Sequence, residues 1–568
     1  MQLYFLKRVF NFVKRKMVAF YQCDLNVSDI LGKINGRFHK KILLDLKIAN
    51  YSSERRYDAT SEYNRKYNSY GKRYRVIFKN KIAVRDIILA QIANYNNLDF
   101  RFADMAARWC AIEDYLQGKE DGMNMYAKMQ NDLGSDFDWG ERFKKMIDSC
   151  ETQGFDSDKK IQFDKKLAVL DGSHRLSYAF YKGIDIVSAD IYKRVSPREV
   201  NQLWFWENDY PDKYCERIQY TIKTMLDKAK YNYWGIIWPS ALSVADELIT
   251  DIERLYGDER VKVVQVREIK MSYREFVYFF KAVYRYDCMS EAGMMPKINL
   301  ILHSSKYRDG DPISMKAFCL AIDSPEICLN EKNGMPKSMA VTRIKKALRG
   351  RYKEKVYDYA YDTIIHITDN YIQSRALEIL LDLDTDLTDL FVELRDYKYA
   401  VLKKNSLHQH ENFPNAFLWG KDTDILTSES YFEQIIHTIK MFCENKYGKY
   451  KEVSVDCSLE NDHYHIDVKL FERLLISFDL VKKLASLKSD FLATSLDNAK
   501  LDNGCKVLQI NAECMIRLYE LYTNPKKDWH REFLKEKQGF WRISDIEESF
   551  ERSSVGKITA IASGIRKE

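Results

Sequence analysis

"LAVLDGSHRLSYAFYKGIDIV", Leu167 to Val187, decides how the N-terminal part of the chain is read. An apolar strand-like run ends at an Asp171-Gly172 turn, a helix opens at Ser173, and a second apolar run follows Gly183. Strand, turn, helix, strand is an α/β order. The free N–H groups at the start of that helix, with the positive end of its dipole, point back at the turn and attract phosphate or carboxylate. Gly172 permits close backbone approach, Arg175 offers a fork suited to phosphate oxygens, and His174 adds a donor on the same rim. Asp171, Gly172, Ser173, His174 and Arg175 are thus the candidate phosphate- or nucleotide-binding residues. The competing explanation is an ordinary Asp-Gly turn, a Ser cap and two solvated side chains.

Outward from this stretch, Glu141 to Arg194 runs helix, turn, two short strands joined by Asp164-Lys165-Lys166, the Asp-Gly turn, a helix and a last strand. With Asp171, Gly172, His174 and Arg175 in register, the region resembles the ParB/sulfiredoxin-like fold, whose members hold nucleotide phosphates on a D-G-x-H-R type signature. That family spans nucleotide-binding partition proteins, a sulfinic acid reductase and an amino-acid kinase, so the resemblance specifies ligand class better than reaction. No partition-type helix-turn-helix follows, and nucleic acid is not an expected partner.

The chain has 568 residues, 46% hydrophobic and 30% charged, which suits several globular units and excludes disorder. A net charge of +7 from 90 basic and 83 acidic residues does not by itself indicate nucleic acid. Eleven cysteines without a C-x-x-C pair argue against a disulfide framework and a zinc ribbon, and point to a reducing compartment. No run of about 18 apolar residues occurs, so a cytoplasmic protein is expected. Residues 3–20 form a basic amphipathic pattern, with Leu6, Phe10, Val13, Met17 and Phe20 on one stripe, which suits peripheral contact with the inner face of a membrane. The Tyr-rich stretch Tyr51 to Lys81 reads as a surface loop.

In the middle of the chain, "YWGIIWPSALSVADELITDIERLYG" and "RVKVVQVREIKM" read as strand, helix and strand of an α/β unit. Further on, a basic helix from about Val341, a strand near Thr363 to Thr368, an Asp369-Asn370 turn and a second helix place His366, Asp369 and Arg375 at a strand's carboxyl end. Ligands gather there in open α/β sheets, so these three form a possible second site, with Lys345, Lys346, Arg349 and Arg351 as sources of charge.

"WGKDTDILTSESYFEQIIHTIKMFC", Trp419 to Cys443, holds two carboxylates that project from one face of a strand, Asp422 and Asp424. Paired carboxylates of this kind hold Mg²⁺ for phosphoryl transfer. The later hairpin "EVSVDCSLENDHYHIDVKLFERL" offers Asp467, or less favourably Asp456, as a third. His463, His465 and Asp467 alternate as well, a weaker case for zinc. Leu387 to Leu480 resembles the nucleotidyltransferase-like (DNA polymerase β-type) fold, especially bacterial members found with surface-polysaccharide genes. The resemblance implies Asp422, Asp424 and Asp467 as catalytic metal ligands, although "VLKKNSLHQH" lacks the family's Gly-Ser or Gly-Gly turn.

The expected fold class is α/β and α+β multidomain. The expected parts are an N-terminal helical region (1–100), a ParB/sulfiredoxin-like domain (101–215), a middle α/β domain (216–386), a nucleotidyltransferase-like domain (387–480) and a helical C-terminal region (481–568). The expected function is a nucleotide-dependent, Mg²⁺-assisted phosphotransferase or nucleotidyltransferase in surface-polysaccharide biosynthesis. Its donor would be a nucleotide triphosphate or nucleotide sugar, its acceptor a glycan or lipid-linked glycan precursor. Two rivals stand beside it: a ParB-like nucleotide-binding or nucleic-acid-associated protein with an inactive C-terminal domain, and a kinase whose site is the Asp171 to Arg175 corner.

Overall fold

The structure, a computed structural model, describes residues 75–567 apart from 95–98, 135–137, 194–199, 258–259, 361, 405–408 and 461–462. The basic amphipathic pattern at 3–20 lies outside the described residues. The chain is mixed α/β and α+β and multidomain, built around three sheets of four, four and seven strands.

The first sheet carries the quoted stretch. Its order is Val76–Ala83, Ile186–Tyr192, Ile161–Asp164, Val169–Asp171, with only the middle pair parallel. Val76–Ala83 corrects the loop expected up to Lys81. Its apolar ends, Val76-Ile77-Phe78 and Ile82-Ala83, flank Lys79-Asn80-Lys81, and its pairing partner lies about a hundred residues on. Helix Ser173–Lys182 begins directly after Gly172, whose φ of 89° is the left-handed conformation that glycine adopts without strain. Helices Asp104–Leu116 and Asp212–Ala229 complete one apolar core with it.

The second sheet is antiparallel throughout, in the order Ile365–Ile367, Tyr233–Ile237, Ile313–Ile322, Val261–Met271. Helices Ala245–Tyr256 and Met339–Tyr352 pack on one face around Leu248, Ile344 and Phe318. Tyr273–Tyr286, opened by a Ser272/Glu275 capping box, covers the other face with Tyr371–Asp382.

The third sheet has the order Val453–Glu460, His463–Leu470, Arg473–Val481, Lys421–Thr427, Tyr399–Val401, Cys505–Val507, Lys500–Asp502. Its last two strands come from the region expected to be helical, so the sheet continues past residue 480. One face, with Tyr399, Ile425, Ile466 and Phe478, joins Trp234, Phe276 and Phe280 of the second unit in a single apolar cluster. Ala400, Leu402, Leu426 and Val481 on the other face pack on the C-terminal helices around Leu518, Trp541 and Ile558.

Candidate functional site

Strand Lys421–Thr427 places Asp422 and Asp424 on the face that looks toward the C-terminal helices, because residues two apart share a face and buried Thr423 and Ile425 take the other. The parallel neighbour Arg473–Val481 sets Ser477 beside Asp422 and Asp479 beside Asp424. Asp467 pairs with Ser477 from the far side, with Asp456 beyond it. Asp467 therefore sits two strands from the Asp422 row, about 10 Å by ordinary strand spacing. It accepts from Ser477 Oγ at 2.6 Å and pairs with Lys469 at 3.1 Å. Asp456 is exposed and shares Lys469. The carboxylate adjoining the pair is Asp479, which corrects the expectation of Asp467 as the third member.

Lys403 and His463 hold this face. Lys403, buried just past Tyr399–Val401, sets its Nζ 2.7 Å from Asp424 Oδ2 and 3.1 Å from Glu520 Oε1. Burial pushes Asp424 up to about 6; Lys403 opposes the rise, while Asp422 and Asp479 add to it. Burial acts on Glu520 in the same sense, yet Lys403 and Lys527 hold it at about 2. His463 Nδ1 lies 3.0 Å from Asp479 Oδ1, and His465 stands in the same row as Asp479. The imidazole of His463 is held by that contact, with its side chain 38% exposed.

The donor set is hard oxygen, the kind Mg²⁺ takes. Its arrangement does not close on an ion: Asp424 is turned onto Lys403, Asp479 is held by His463, and among the described residues no three His, Cys, Asp or Glu side chains form a metal-holding group. A resident Mg²⁺ or zinc does not fit these residues as they stand.

The Asp171 to Arg175 corner is differently arranged from its sequence reading. Asp171 is exposed and accepts from the Gly172 N–H at 2.9 Å. His174 turns inward, its ring 4.5 Å from Phe143 and stacked at 5.8 Å on Trp139, with Nε2 bonded to the Tyr126 hydroxyl. Burial, and then Arg108 and Arg142, hold its pKa well below the usual histidine range. Arg175 spends its guanidinium on the carbonyls of Asp156, Lys159 and Lys160, pinning that loop against the helix. His174 is a half-buried histidine held among aromatic rings and not a donor on the rim, and Arg175 is a loop brace.

The possible second site divides. Arg375 leaves it, pairing with Glu452 at 2.8 Å and Glu378 at 2.7 Å. Asp369 receives Lys345 Nζ at 2.6 Å, and the same ammonium donates to Ile367 O at 3.1 Å. Arg349 donates to Ile365 O at 2.8 Å and pairs with Asp362 at 3.1 Å. Strand Ile365–Ile367 is the sheet edge, so Lys345 and Arg349 cap its outward carbonyls. His366 remains, buried under Tyr284 with ring centroids 5.0 Å apart.

No family model matches the chain, and no curated protein matches it. Among solved structures it is similar to a nucleoside-diphosphate kinase from Borrelia burgdorferi, a transition state mimic with bound vanadate and ADP. Identity is 14% over 26% of this chain and 85% of that one, with a TM-score of 0.16. It is also similar to the Megavirus polyadenylate synthase, at 8% identity over 60% of this chain and 75% of that one, with a TM-score of 0.15. Both superpositions are too loose to establish a shared fold.

Proposed function

We propose that the polar face of the seven-stranded sheet is the working site of a nucleotidyl- or phosphotransferase. Its donor would be a magnesium–nucleotide complex, and its acceptor a hydroxyl of a glycan or lipid-linked glycan precursor, as the resemblance implies. The observation that supports this reading is the register: Asp422 and Asp424 alternate on one strand and Asp479 stands directly opposite Asp424 on its parallel neighbour. The row of carboxylates attracts the cation end of the donor, which arrives as part of the substrate.

In this reading His463, oriented by Asp479, takes the proton of the acceptor hydroxyl. The hydroxyl oxygen bonds to phosphorus while the bond from phosphorus to the leaving phosphate oxygen breaks, and the proton rests on the imidazole. Lys403 keeps Asp424 in place and offsets its charge before the donor arrives.

Calorimetry on the full chain tests binding, and phosphorus NMR tests turnover. Magnesium–nucleotide should bind, whereas the nucleotide in chelator and Mg²⁺ alone should not. Asp424→Asn and Asp479→Asn should abolish binding, while His463→Gln should retain binding and lose transfer. Donor binding that survives both Asn substitutions, or transfer that survives His463→Gln, refutes the reading.

A further inference from the structure

An ammonium already stands where the carboxylate row would take a cation: Lys403 Nζ lies 2.7 Å from Asp424 Oδ2. Lys403 follows strand Tyr399–Val401 with a φ of 58°, the left-handed region that a residue other than glycine keeps only where its surroundings hold it. One helix, Ile510–Thr523, holds both ends of the residue. The Lys403 N–H donates to Glu513 Oε1 at 3.1 Å, and its Nζ lies 3.1 Å from Glu520 Oε1, two turns further along the same helix face. Glu513 also accepts from Arg517 Nε at 2.7 Å and Glu520 from Lys527 Nζ at 2.7 Å, which fixes both carboxylates. Burial lowers the pKa of Lys403, but Asp424 and Glu520 outweigh it and hold it above the usual lysine range, so the group at the row is an ammonium and not an amine. Among the described residues it is the one Lys or Arg within ion-pair distance of Asp424 or Asp479.

This arrangement treats the two halves of a metal–phosphate ligand differently from the whole. A divalent cation alone would displace the ammonium from Asp424 and leave it to Glu520, which Lys527 already neutralises. A phosphate alone would draw the ammonium away and leave Asp424 facing Asp422 and Asp479. In both cases a poorly solvated charge loses its partner, which opposes binding. A magnesium–nucleotide complex carries both signs. Asp424 then exchanges an ammonium for the complex's cation, Lys403 exchanges a carboxylate for a phosphate oxygen, and Glu520 keeps the ammonium in place.

We infer that Lys403 is a ligand for the donor's phosphate and the gate of the carboxylate row, closed to a free divalent cation and open to one that arrives with a phosphate. Glu513 and Glu520 are its positioning residues. The inference rests on the transferase reading above and adds to it the group that takes the phosphate.

Titration calorimetry on the full chain, with Mg²⁺ alone, nucleotide in chelator and magnesium–nucleotide, tests the assignment in wild type and Lys403→Met, with ATP and UTP as the nucleotides. Wild type should bind the magnesium–nucleotide complex and neither half. Lys403→Met should move two readings in opposite directions: it should gain binding of Mg²⁺ alone and should bind magnesium–nucleotide more weakly by about tenfold or more. A lysine that only balances Asp424 would raise both affinities on removal, and one that only supports the fold would lower both. Lys398→Met, which removes an exposed ion pair with Asp497, should leave every reading as in wild type. If Lys403→Met does not fold, Lys403→Gln carries the same expectations. Magnesium–nucleotide binding as tight in the variant as in wild type, or no gain of Mg²⁺ binding, overturns the inference and leaves the transferase reading standing. Wild type that binds neither magnesium–ATP nor magnesium–UTP overturns both.

Discussion

Replacing Lys403 with Met removes the one ammonium that neutralises Asp424. The Lys403 side chain is 10% exposed and that of Asp424 20%, so the pair is poorly screened. Deleting one partner of such a pair costs about 3–5 kcal/mol. The lower end applies because Glu520 keeps Lys527 at 2.7 Å, whereas Asp424 is left facing Asp422 and Asp479. The cost depends on pH. Asp424 has a folded pKa of about 6, above the ordinary carboxyl value of about 3.9. The folded protein therefore holds that proton more tightly, and stability falls as pH rises from about 4 through 6. Without Lys403 the folded pKa moves higher still, so the variant escapes most of its penalty in acid by protonating Asp424. The expected loss is about 3 kcal/mol at about pH 8, shrinking to roughly 1 kcal/mol at about pH 5. Hydrogen exchange on strand Lys421–Thr427 reads this locally and does not require the several units to unfold together. An equal loss at the two pH values, or no loss at the higher one, refutes the account of Lys403 as the counter-charge of Asp424.

Two further substitutions probe the scaffold. A Cβ at Gly235 would lie 2.2 Å from Phe318 Cζ on the neighbouring strand, so Gly235→Ala should cost about 1–3 kcal/mol by overpacking and Phe318→Leu should recover part of it; an unchanged denaturation midpoint contradicts this. Asp86 is buried, accepts from the Tyr231 hydroxyl at 2.6 Å and from the Tyr371 N–H at 3.2 Å, and is pushed by burial to about 7 against those two bonds. Its folded pKa exceeds the unfolded one, so wild-type stability falls as pH rises through 7. Asp86→Asn should therefore gain on wild type at about pH 8 and lose that advantage at about pH 5; a pH-independent difference in thermal midpoint contradicts it.

The elements that carry strong local pattern were legible. Ser173 does open a helix after a glycine that needs positive φ, and Asp422 and Asp424 do share a strand face. What local pattern could not supply is lateral position. Asp479 stands in "LISFDLV" as a carboxylate inside an apolar strand, a visible signal, but its place beside Asp424 follows from a parallel pairing between strands some fifty residues apart. The motif alone makes His174 a rim donor, because it shows only the neighbours of His174 in sequence. The rings of Tyr126, Trp139 and Phe143 that enclose it belong to two other helices. Lys345 and Arg349 likewise read as free charge on a helix face in the sequence, because the strand edge whose carbonyls they cap lies on another element.

The apolar layer shared by the second and third sheets also sets a timetable for synthesis. The buried face of helix Tyr273–Tyr286 finds its cover in part at the end of strand His463–Leu470, where the Tyr286 hydroxyl donates to Leu470 O at 2.8 Å, roughly 180 residues later in the chain. At about 5–20 residues per second that interval is on the order of 10–40 s. Through it the Tyr286 end of that helix lacks this cover on the ribosome. The nascent chain is a client for holdase chaperones during that window, and the middle sheet matures only when the C-terminal sheet does.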